Sequence, residues 1–286
     1  MSGSPGDDDV ALELIATQGV VGVGRVIETG DRATALAGRT VLVGAVDACG
    51  ECEVCRRGGA PVCPLARHRT APAAARWTAK GRWLVPLDDG LADLPLPAAA
   101  AIPGDLAVAY TLYARTGVAA REPVVLAGAS AVTRLLVLVL RQKGITPVVV
   151  ADPAATAWLA WLTAAGAVVA PGTHADAVRP TIVDAFAQQG LGARPWRLFA
   201  TTPAGAVIAA ALAGPRATLT VLAPAGTAVT LPGDLLAREV LTIGVAAAHP
   251  DLVVECAALC AKGDIDLAAN TSPTPTDDHR SVVAAA

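Results

Sequence analysis

Four of the six cysteines of the chain lie in one short loop. They are Cys49, Cys52, Cys55 and Cys63, and their spacing is C-x2-C-x2-C-x7-C. Gaps of two residues let consecutive thiolates point at one centre, and four thiolates at about 2.3 Å from one ion form a closed zinc site. Because a closed site leaves no coordination position for a substrate, the pattern predicts a structural zinc ion.

Two other uses of these thiols are open to the sequence. Sets of thiolates also hold iron–sulfur clusters, and cysteines form disulfides in oxidising compartments. Cysteines this close together pair poorly as disulfides, so zinc is the favoured interpretation. Cys256 and Cys260 lie four residues apart on a predicted helix, where they could face one metal, but two small buried side chains are the simpler interpretation.

A strand, a turn and a helix over residues 123–143 stand where a dinucleotide-binding fingerprint would lie. The full fingerprint is G-x-G-x-x-G, and the chain keeps only its first glycine, Gly128. Ser130 places a side chain where a phosphate would lie, and Thr133 places a branched one at the helix–strand contact. The beginning of the helix still offers unpaired N–H groups and the positive end of its dipole.

Asp152 ends the next predicted strand, 24 residues after Gly128. An acidic residue there could accept hydrogen bonds from the ribose hydroxyls of NAD(H). Its other role would be to cap a helix that begins at Pro153. The candidate cofactor-binding residues are Gly128, Ser130, Ala131, Val132 and Asp152.

The rest of the chain is read as two domains between two tails. From about Leu106, strands alternate with helices, which predicts βαβ units and a Rossmann-type, doubly wound parallel sheet. The strands are predicted at 123–127, 146–151, 167–170, 196–200 and 217–223. The predicted plan is a disordered leader (1–9), a β-rich domain (10–100) with the zinc loop (47–70), the Rossmann-like domain (101–270) and a disordered tail (271–286).

The composition excludes several classes of protein. Lys plus Arg number 22 and Asp plus Glu 25, a net charge of −3, whereas affinity for phosphates needs clustered positive charge, so no nucleic-acid partner is expected. With 53% hydrophobic and 16% charged residues, the chain is not mainly disordered. The uncharged stretches 153–173 and 198–215 are broken by proline and glycine, so no membrane span is expected. Without a signal peptide at its acidic beginning, the chain is expected to be cytoplasmic.

Taken together, these residues resemble the zinc-containing medium-chain alcohol dehydrogenase family. Residues 41–63 (VLVGAVDACGECEVCRRGGAPVC) look like its structural-zinc lobe, and the similarity covers about residues 19–268. The resemblance implies an α/β fold, in which the doubly wound parallel sheet follows a smaller, truncated β-rich (GroES-like) domain that carries the zinc loop.

The resemblance also implies a catalytic zinc with three protein ligands, and the chain departs from it there. The first ligand would be a cysteine near the beginning, but none precedes Cys49. The second would be a histidine in a Gly-His-Glu step, which here reads Gly-Val20-Val21. The third falls on Gly104, with Asp105 beside it. Valine and glycine offer no ligand, so no catalytic residue is predicted.

No other acid–base set replaces the missing ligands. The histidines are predicted to lie in exposed loops; they are His68, His174, His249 and His279. Arginines around the zinc loop could contact an acidic partner or form a solvated face. They are Arg56, Arg57, Arg67, Arg69 and Arg76.

Three functions follow from this pattern. The first is a non-catalytic relative of the dehydrogenases that acts as a structural or regulatory subunit. The second is an active NAD(H)-dependent oxidoreductase with zinc-independent hydride transfer, and the third is a binding module for another anion near Arg134. The resemblance implies a homo-oligomer that associates through the Rossmann-like domain, with 217–223 and 240–245 as candidate contact segments, or a hetero-assembly with an active homologue.

Overall fold

The computed structural model describes residues 6–69, 76–87, 90–224 and 227–268, and it forms two compact units. Of the described residues, the first unit contains 6–108 and 247–268, and the second contains 109–246. The predicted plan has the border at residue 100 and keeps residues 247–268 in the Rossmann-like domain. The return of that segment to the first unit is a long-range contact, which no local pattern reveals.

The first unit contains a five-stranded antiparallel sheet in the order β6-β1-β2-β3-β7, and β4 pairs with β5 in a separate ladder. Its core is aliphatic, because alternate residues such as Val10, Leu12 and Val41 face inward and are fully buried. The strands are β1 (Asp9–Gln18), β2 (Val21–Thr29), β3 (Thr40–Val43), β4 (Val46–Asp47), β5 (Arg67–His68), β6 (Arg76–Lys80) and β7 (Val85–Pro86).

The helices of the first unit are short. They are the α-helices α1 (Glu53–Arg56), α2 (Leu96–Ala101) and α9 (Pro250–Ala261), and the 3-10 turns Asp31–Leu36, Ala60–Val62 and Gly81–Trp83. A π-helical turn, Ile102–Leu106, follows α2 and packs against α9. The chain crosses into the second unit within α3 (Ala107–Thr116), which ends before Gly117 as the sequence predicts.

Part of the predicted leader belongs to the first unit. The first five residues lie outside the described part of the chain, but Asp9 begins β1. The Asp8 carboxylate accepts a hydrogen bond from Arg82 at 2.6 Å, and that of Asp9 lies 2.9 Å from Lys80 Nζ. The sequence predicts a disordered leader over residues 1–9 because Arg82 and Lys80, which pair with Asp8 and Asp9, are more than 70 residues away in sequence.

The second unit is built on a six-stranded parallel sheet in the order β10-β9-β8-β11-β12-β13. Numbered from β8, this is the 3-2-1-4-5-6 order of the dinucleotide-binding folds, and it confirms the predicted doubly wound sheet. The strands are β8 (Val124–Ala127), β9 (Val148–Ala151), β10 (Val168–Pro171), β11 (Arg197–Ala200), β12 (Thr218–Leu222) and β13 (Leu241–Val245). The helices are α4 (Ala131–Gln142), α5 (Thr156–Ala164), α6 (Ala175–Gln188), α7 (Pro203–Leu212) and α8 (Asp234–Ala237).

Valine-rich strands and glycine stops made this unit readable from sequence. All residues of β8 and β9 are buried, as expected where helices cover both faces of a parallel sheet. Gly144 and Gly166 follow α4 and α5 in left-handed conformations, with φ of +74° and +82°. Within the residues that the structure describes, no helix is both long enough and apolar enough to cross a membrane.

The two segments predicted as contact surfaces occupy different places in the sheet. The segment 217–223 forms β12, whose residues are buried and paired on both sides with β11 and β13, so it cannot meet a partner. The segment 240–245 forms the edge strand β13, and its Leu241 side chain is 59% exposed.

An ion pair between Arg197 and Glu122 lies at the end of the parallel sheet where its strands begin. Arg197, at the start of β11, donates two hydrogen bonds to the Glu122 carboxylate at 2.8 and 3.0 Å. Desolvation raises the pKa of Glu122, but the Arg197 guanidinium and the Ala119 N–H outweigh it and hold this pKa below its ordinary value. The charged form of Glu122 is therefore the one that the fold stabilises.

Replacing Glu122 with glutamine is expected to lower the free energy of unfolding at pH 7 by about 1 kcal/mol or less, because the pair is partly exposed. A lowered folded-state pKa stabilises the fold above the ordinary carboxyl pKa of 4.5, and this contribution disappears as the pH falls through the lowered value. Urea unfolding at pH 7 and near pH 3 should therefore show the difference only at the higher pH. The Glu239→Gln change, in an exposed pair 3.7 Å from Arg216, is the control with little effect at either pH. An equal loss at both pH values for Glu122→Gln would contradict this assignment.

Candidate metal centre and nucleotide-binding turn

The structure brings the four predicted zinc ligands together. The sulfur–sulfur distances are 3.8 Å for Cys49–Cys55, 3.8 Å for Cys52–Cys63 and 3.6 Å for Cys49–Cys63, and all four sulfurs lie within 4.8 Å of one another. A tetrahedron of sulfurs about 2.3 Å from one zinc ion has edges of about 3.8 Å. The thiols are too far apart to be disulfides. The cluster thus fits a structural zinc ion.

The backbone of the loop is shaped to present thiolates. The Cys52 N–H donates to Cys49 Sγ, and the Cys55 N–H donates to Cys52 Sγ, each at 3.4 Å. Gly50 and Gly58 have φ of +77° and +78°, so the chain turns sharply on both sides of α1. Such N–H donors favour a thiolate over a thiol, and the thiolate is the form that binds metal.

The thiols differ in their readiness to ionise. Hydrogen bonds from the Glu51 and Cys52 backbone lower the pKa of the Cys49 thiol to about 6. Desolvation, with the neighbouring thiols, raises the pKa of Cys55 to about 12. Crowded thiols resist ionising together, and a bound zinc ion would supply the charge that deprotonates them all.

Side chains from outside the loop hold it in place. The Trp83 indole N–H donates to the Ala48 carbonyl at 2.7 Å, and Arg82 donates to the Cys49 carbonyl at 3.4 Å. His249 Nε2 lies 2.9 Å from the Gly58 carbonyl, and only 15% of this side chain is exposed. The prediction of an exposed loop histidine is wrong for His249, because its contact lies 191 residues away in sequence.

The other predicted histidines and the basic stretch give no second site. His68 and His174 are exposed as predicted, but His68 lies in β5 and not in a loop, and His279 lies outside the described residues. Four of the five arginines have internal partners: Arg57 pairs with Glu53, Arg67 with Asp47 and Asp9, Arg56 with the Glu51 carbonyl, and Arg69 with the Gly44 carbonyl. These contacts favour the solvated, self-paired face over a surface for an acidic partner.

The positions that the resemblance assigns to catalytic ligands also meet in space. A Cβ built on Gly104 would lie 2.9 Å from Val21 Cγ2, and both Val20 and Val21 are 1% exposed. The polar groups beside them are Gln18 and Asp105, joined by a 2.9 Å hydrogen bond from the amide to the buried carboxylate. Within the described part of the chain, only the four-cysteine cluster groups three or more His, Cys, Asp or Glu side chains closely enough for a metal. These residues do not fit a catalytic zinc ion.

In the candidate nucleotide-binding turn, hydroxyl groups of the chain itself stand where the fingerprint has glycines. Gly128 has φ of +106°, and a Cβ there would lie 2.6 Å from Thr202 Oγ1. Ser130 caps α4 by accepting the Thr133 N–H at 3.1 Å. The Thr133 hydroxyl donates to the Gly128 carbonyl at 2.7 Å and lies 2.6 Å from Thr201 Oγ1. Ser130 thus satisfies one of the helix donors that would otherwise face a phosphate.

The remaining candidates lie in the first turn of α4, where Ala131 is half-buried and the Val132 side chain is 1% exposed, in the core. Only backbone N–H groups at these two positions could meet a ligand. Arg134, considered for an anion site, stacks over the Trp161 ring at 5.4 Å from its centroid.

Asp152 follows β9 at the same edge of the sheet as Gly128, because Ala127 pairs with Val150 in the parallel ladder. Its side chain is exposed, and its Oδ1 accepts the Ala154 N–H at 2.8 Å. The helix α5 begins only at Thr156, so Asp152 closes a turn and does not cap a helix beginning at Pro153. A ribose could still reach the exposed carboxylate.

Sequence reasoning missed one residue that shapes this edge of the sheet. A Cβ on Gly205, in α7, would lie 2.3 Å from the Ala127 carbonyl oxygen, so α7 approaches β8 as closely as a backbone without side chain permits. The signal was present as Thr202-Pro203 followed by a glycine, a helix start with an isolated glycine inside the helix.

Neither a protein-family model nor a curated protein sequence matches this chain. Solved structures of dehydrogenases share its fold. An alcohol dehydrogenase from Escherichia coli CFT073, in complex with NADH, is 15% identical over 93% of this chain and 84% of its own, with a TM-score of 0.73. The alcohol dehydrogenase of Thermus sp. ATN1 is 16% identical (93% and 86%, TM-score 0.75), and a cinnamyl alcohol dehydrogenase of Sorghum bicolor is 19% identical (93% and 83%, TM-score 0.72). The chain therefore has the alcohol dehydrogenase fold, as predicted.

Proposed function

We propose that this chain is a non-catalytic protein with the alcohol dehydrogenase fold, stabilised by structural zinc, that serves as a structural or regulatory subunit. The observation that carries the proposal is the contact between Val21 and Gly104 at the place where catalytic zinc ligands would meet. Among the described residues, Asp105 supplies a carboxylate at this place but no group of three ligands forms there, and catalytic zinc sites use three protein ligands. At the start of α4, the Ser130 hydroxyl accepts the Thr133 N–H that a cofactor phosphate would otherwise use. This contact supports a chain that does not use a dinucleotide cofactor for catalysis.

The proposal is tested by metal analysis and alcohol oxidation on the purified full chain. We expect about one zinc per chain, since one closed four-thiolate site binds one ion. We expect no reduction of NAD or NADP by a panel of primary, secondary and aromatic alcohols, with or without added zinc. The E. coli alcohol dehydrogenase serves as the positive control for the assay. Zinc-dependent turnover, or two zinc ions per chain, would overturn the proposal.

The alternative is an oxidoreductase that transfers hydride between NAD(H) and a substrate without catalytic zinc. The observation that favours it is the geometry of the sheet edge, where Gly128 keeps its left-handed turn and Asp152 exposes a carboxylate after the neighbouring strand. The structural relative from E. coli binds NADH. Both functions predict structural zinc, so cofactor binding is the measurement that separates them.

We expect the wild-type chain to bind NADH no more tightly than about 1 mM, since the Ser130 hydroxyl occupies a helix donor that a pyrophosphate would use. The double change Ser130→Gly and Thr133→Gly rebuilds the three-glycine turn and should tighten binding by about ten-fold, the equivalent of one or two hydrogen bonds to a charged group. Isothermal calorimetry measures both. The control is Thr156→Gly, in the first turn of α5, which should leave NADH binding unchanged. Micromolar binding by the wild type would favour the oxidoreductase.

A subunit role requires a partner, and we propose that a second copy of this chain binds at the edge strand β13. We expect light scattering to show at least a dimer formed through this strand. A hetero-assembly with an active homologue through the same strand is the second possibility. Leu241→Arg places a charge on the exposed strand and should yield monomers. Leu236, 83% exposed in α8 and outside the sheet, gives the control change to arginine, which should leave the assembly intact. A monomeric wild type would contradict the proposal.

A further inference from the structure

His249 joins the zinc loop to the last helix of the first unit. Its Nε2 lies 2.9 Å from the Gly58 carbonyl, and its Nδ1 accepts the Asp251 N–H at 3.3 Å as the N-cap of α9. With a proton on Nε2, the ring donates to Gly58 through Nε2 and accepts from Asp251 through Nδ1. The Asp251 Oδ2 atom also lies 3.6 Å from Nδ1.

On the loop side, the contact point is close to a zinc ligand. The Gly58 N–H donates to the Cys55 carbonyl at 2.9 Å and ends the turn that carries this cysteine. Gly58 has a left-handed φ of +78°, so its carbonyl direction depends on the loop keeping this turn. Zinc bound by the four thiolates would fix the turn and thereby the acceptor for His249.

On the helix side, the contact determines how α9 begins. Without a cap, the first N–H groups of a helix lack partners, and His249 supplies one of them. Ala247, two residues before His249, packs against the apolar core of the zinc loop. The helix α9 also packs against the π-helical turn Ile102–Leu106.

We propose that His249 is a positioning residue that couples zinc binding in the loop to the folding of α9. Zinc fixes the Gly58 turn, the turn orients the imidazole, and the imidazole caps the helix. Because coupling between two equilibria is reciprocal, a well-folded α9 must also tighten zinc binding, which is seen as slower loss of zinc when the association rate is unchanged. The inference rests on the structural zinc site and holds whether or not the chain is an enzyme.

Two substitutions separate the two contacts of the ring. Asparagine places its Oδ1 near the position of Nδ1, so His249→Asn keeps the cap on Asp251 and loses the bond to Gly58. Glutamine places its Nε2 near that of the imidazole, so His249→Gln keeps the bond to Gly58 and loses the cap. Zinc dissociation into excess chelator, followed with a chromophoric indicator, should accelerate about five-fold in His249→Asn, the effect of losing one hydrogen bond. It should accelerate by a smaller factor in His249→Gln, which keeps the bond to Gly58 but loses the part of the coupling that comes through the capped helix.

Hydrogen exchange by mass spectrometry reads the other direction of the coupling. In the wild type, removal of zinc should speed exchange in α9 and leave α6 of the second unit unchanged. In His249→Asn, exchange in α9 should no longer depend on zinc. If the exchange rate in wild-type α9 is the same with and without zinc, the proposal is overturned. If removal of zinc unfolds the whole first unit, the dissociation rates decide, and a wild-type rate in either variant would overturn the proposal.

Discussion

Replacing Cys55 with serine is expected to abolish stoichiometric zinc binding and to destabilise the first unit. The four sulfurs stand at the corners of a near-tetrahedron, so each thiolate supplies a quarter of the coordination, and a neutral hydroxyl is a poor substitute. Because apparent zinc-binding free energies of about 10 kcal/mol or more become folding energy, we expect a loss of at least about 3 kcal/mol in the free energy of unfolding. Metal analysis and urea unfolding, each with and without added zinc, measure the two effects.

The matched control is Cys260→Ser in α9. This change also replaces a half-buried thiol by a hydroxyl, but Cys260 lies outside the cluster and has a raised pKa of about 12 from its burial. Zinc content should stay at the wild-type value, and stability should change by about 1 kcal/mol or less. A Cys55→Ser protein that keeps a full zinc ion, or a chelator that leaves the wild-type unfolding curve unmoved, would show that the loop folds without metal.

The cysteine cluster was predictable because its geometry is set within 15 residues of chain. Two-residue gaps, Gly50 and Gly58 turn the backbone locally, so the pattern that brings the thiolates together is written within the loop. The contacts of Trp83 and His249 then hold the loop from outside. The parallel sheet was predictable for a similar reason, since each valine-rich strand and each terminal glycine carries its own signal. These local rules located the strands β8–β12 to within two residues.

What the sequence did not reveal depends on contacts between distant segments. The Asp8 carboxylate pairs with Arg82, and the His249 ring contacts the Gly58 carbonyl. The meeting of Val21 with Gly104 is also non-local, and only the resemblance to a family pointed to it. Burial patterns specify that a residue is covered, but they do not specify which residue covers it.

Gly205→Ala should be among the most destabilising single substitutions in the second unit. Helix propensity alone favours alanine over glycine by about 1 kcal/mol in a helix interior. Here the new Cβ would lie 2.3 Å from the oxygen and 2.7 Å from the carbon of the Ala127 carbonyl, and a strand backbone cannot move aside as a side chain can. We therefore expect the opposite sign, a loss of about 2–4 kcal/mol, because α7 must shift away from β8.

The control is Gly233→Ala, which precedes α8 with φ of −66° and has open space around its Cβ position. At a compatible backbone position, alanine should be neutral or stabilising by up to about 1 kcal/mol. Thermal unfolding of the two variants beside the wild type measures the contrast. If both alanine variants are equally stable, α7 does not need the close approach to β8, and the edge that carries Gly128 and Thr202 can relax more freely than its packing indicates. If only Gly205→Ala is destabilised, then the close helix–strand contact that the third fingerprint glycine normally permits is made by Gly205 in α7. In α4, Thr133 takes the position of that glycine, and its hydroxyl contacts the Thr201 hydroxyl where the helix begins.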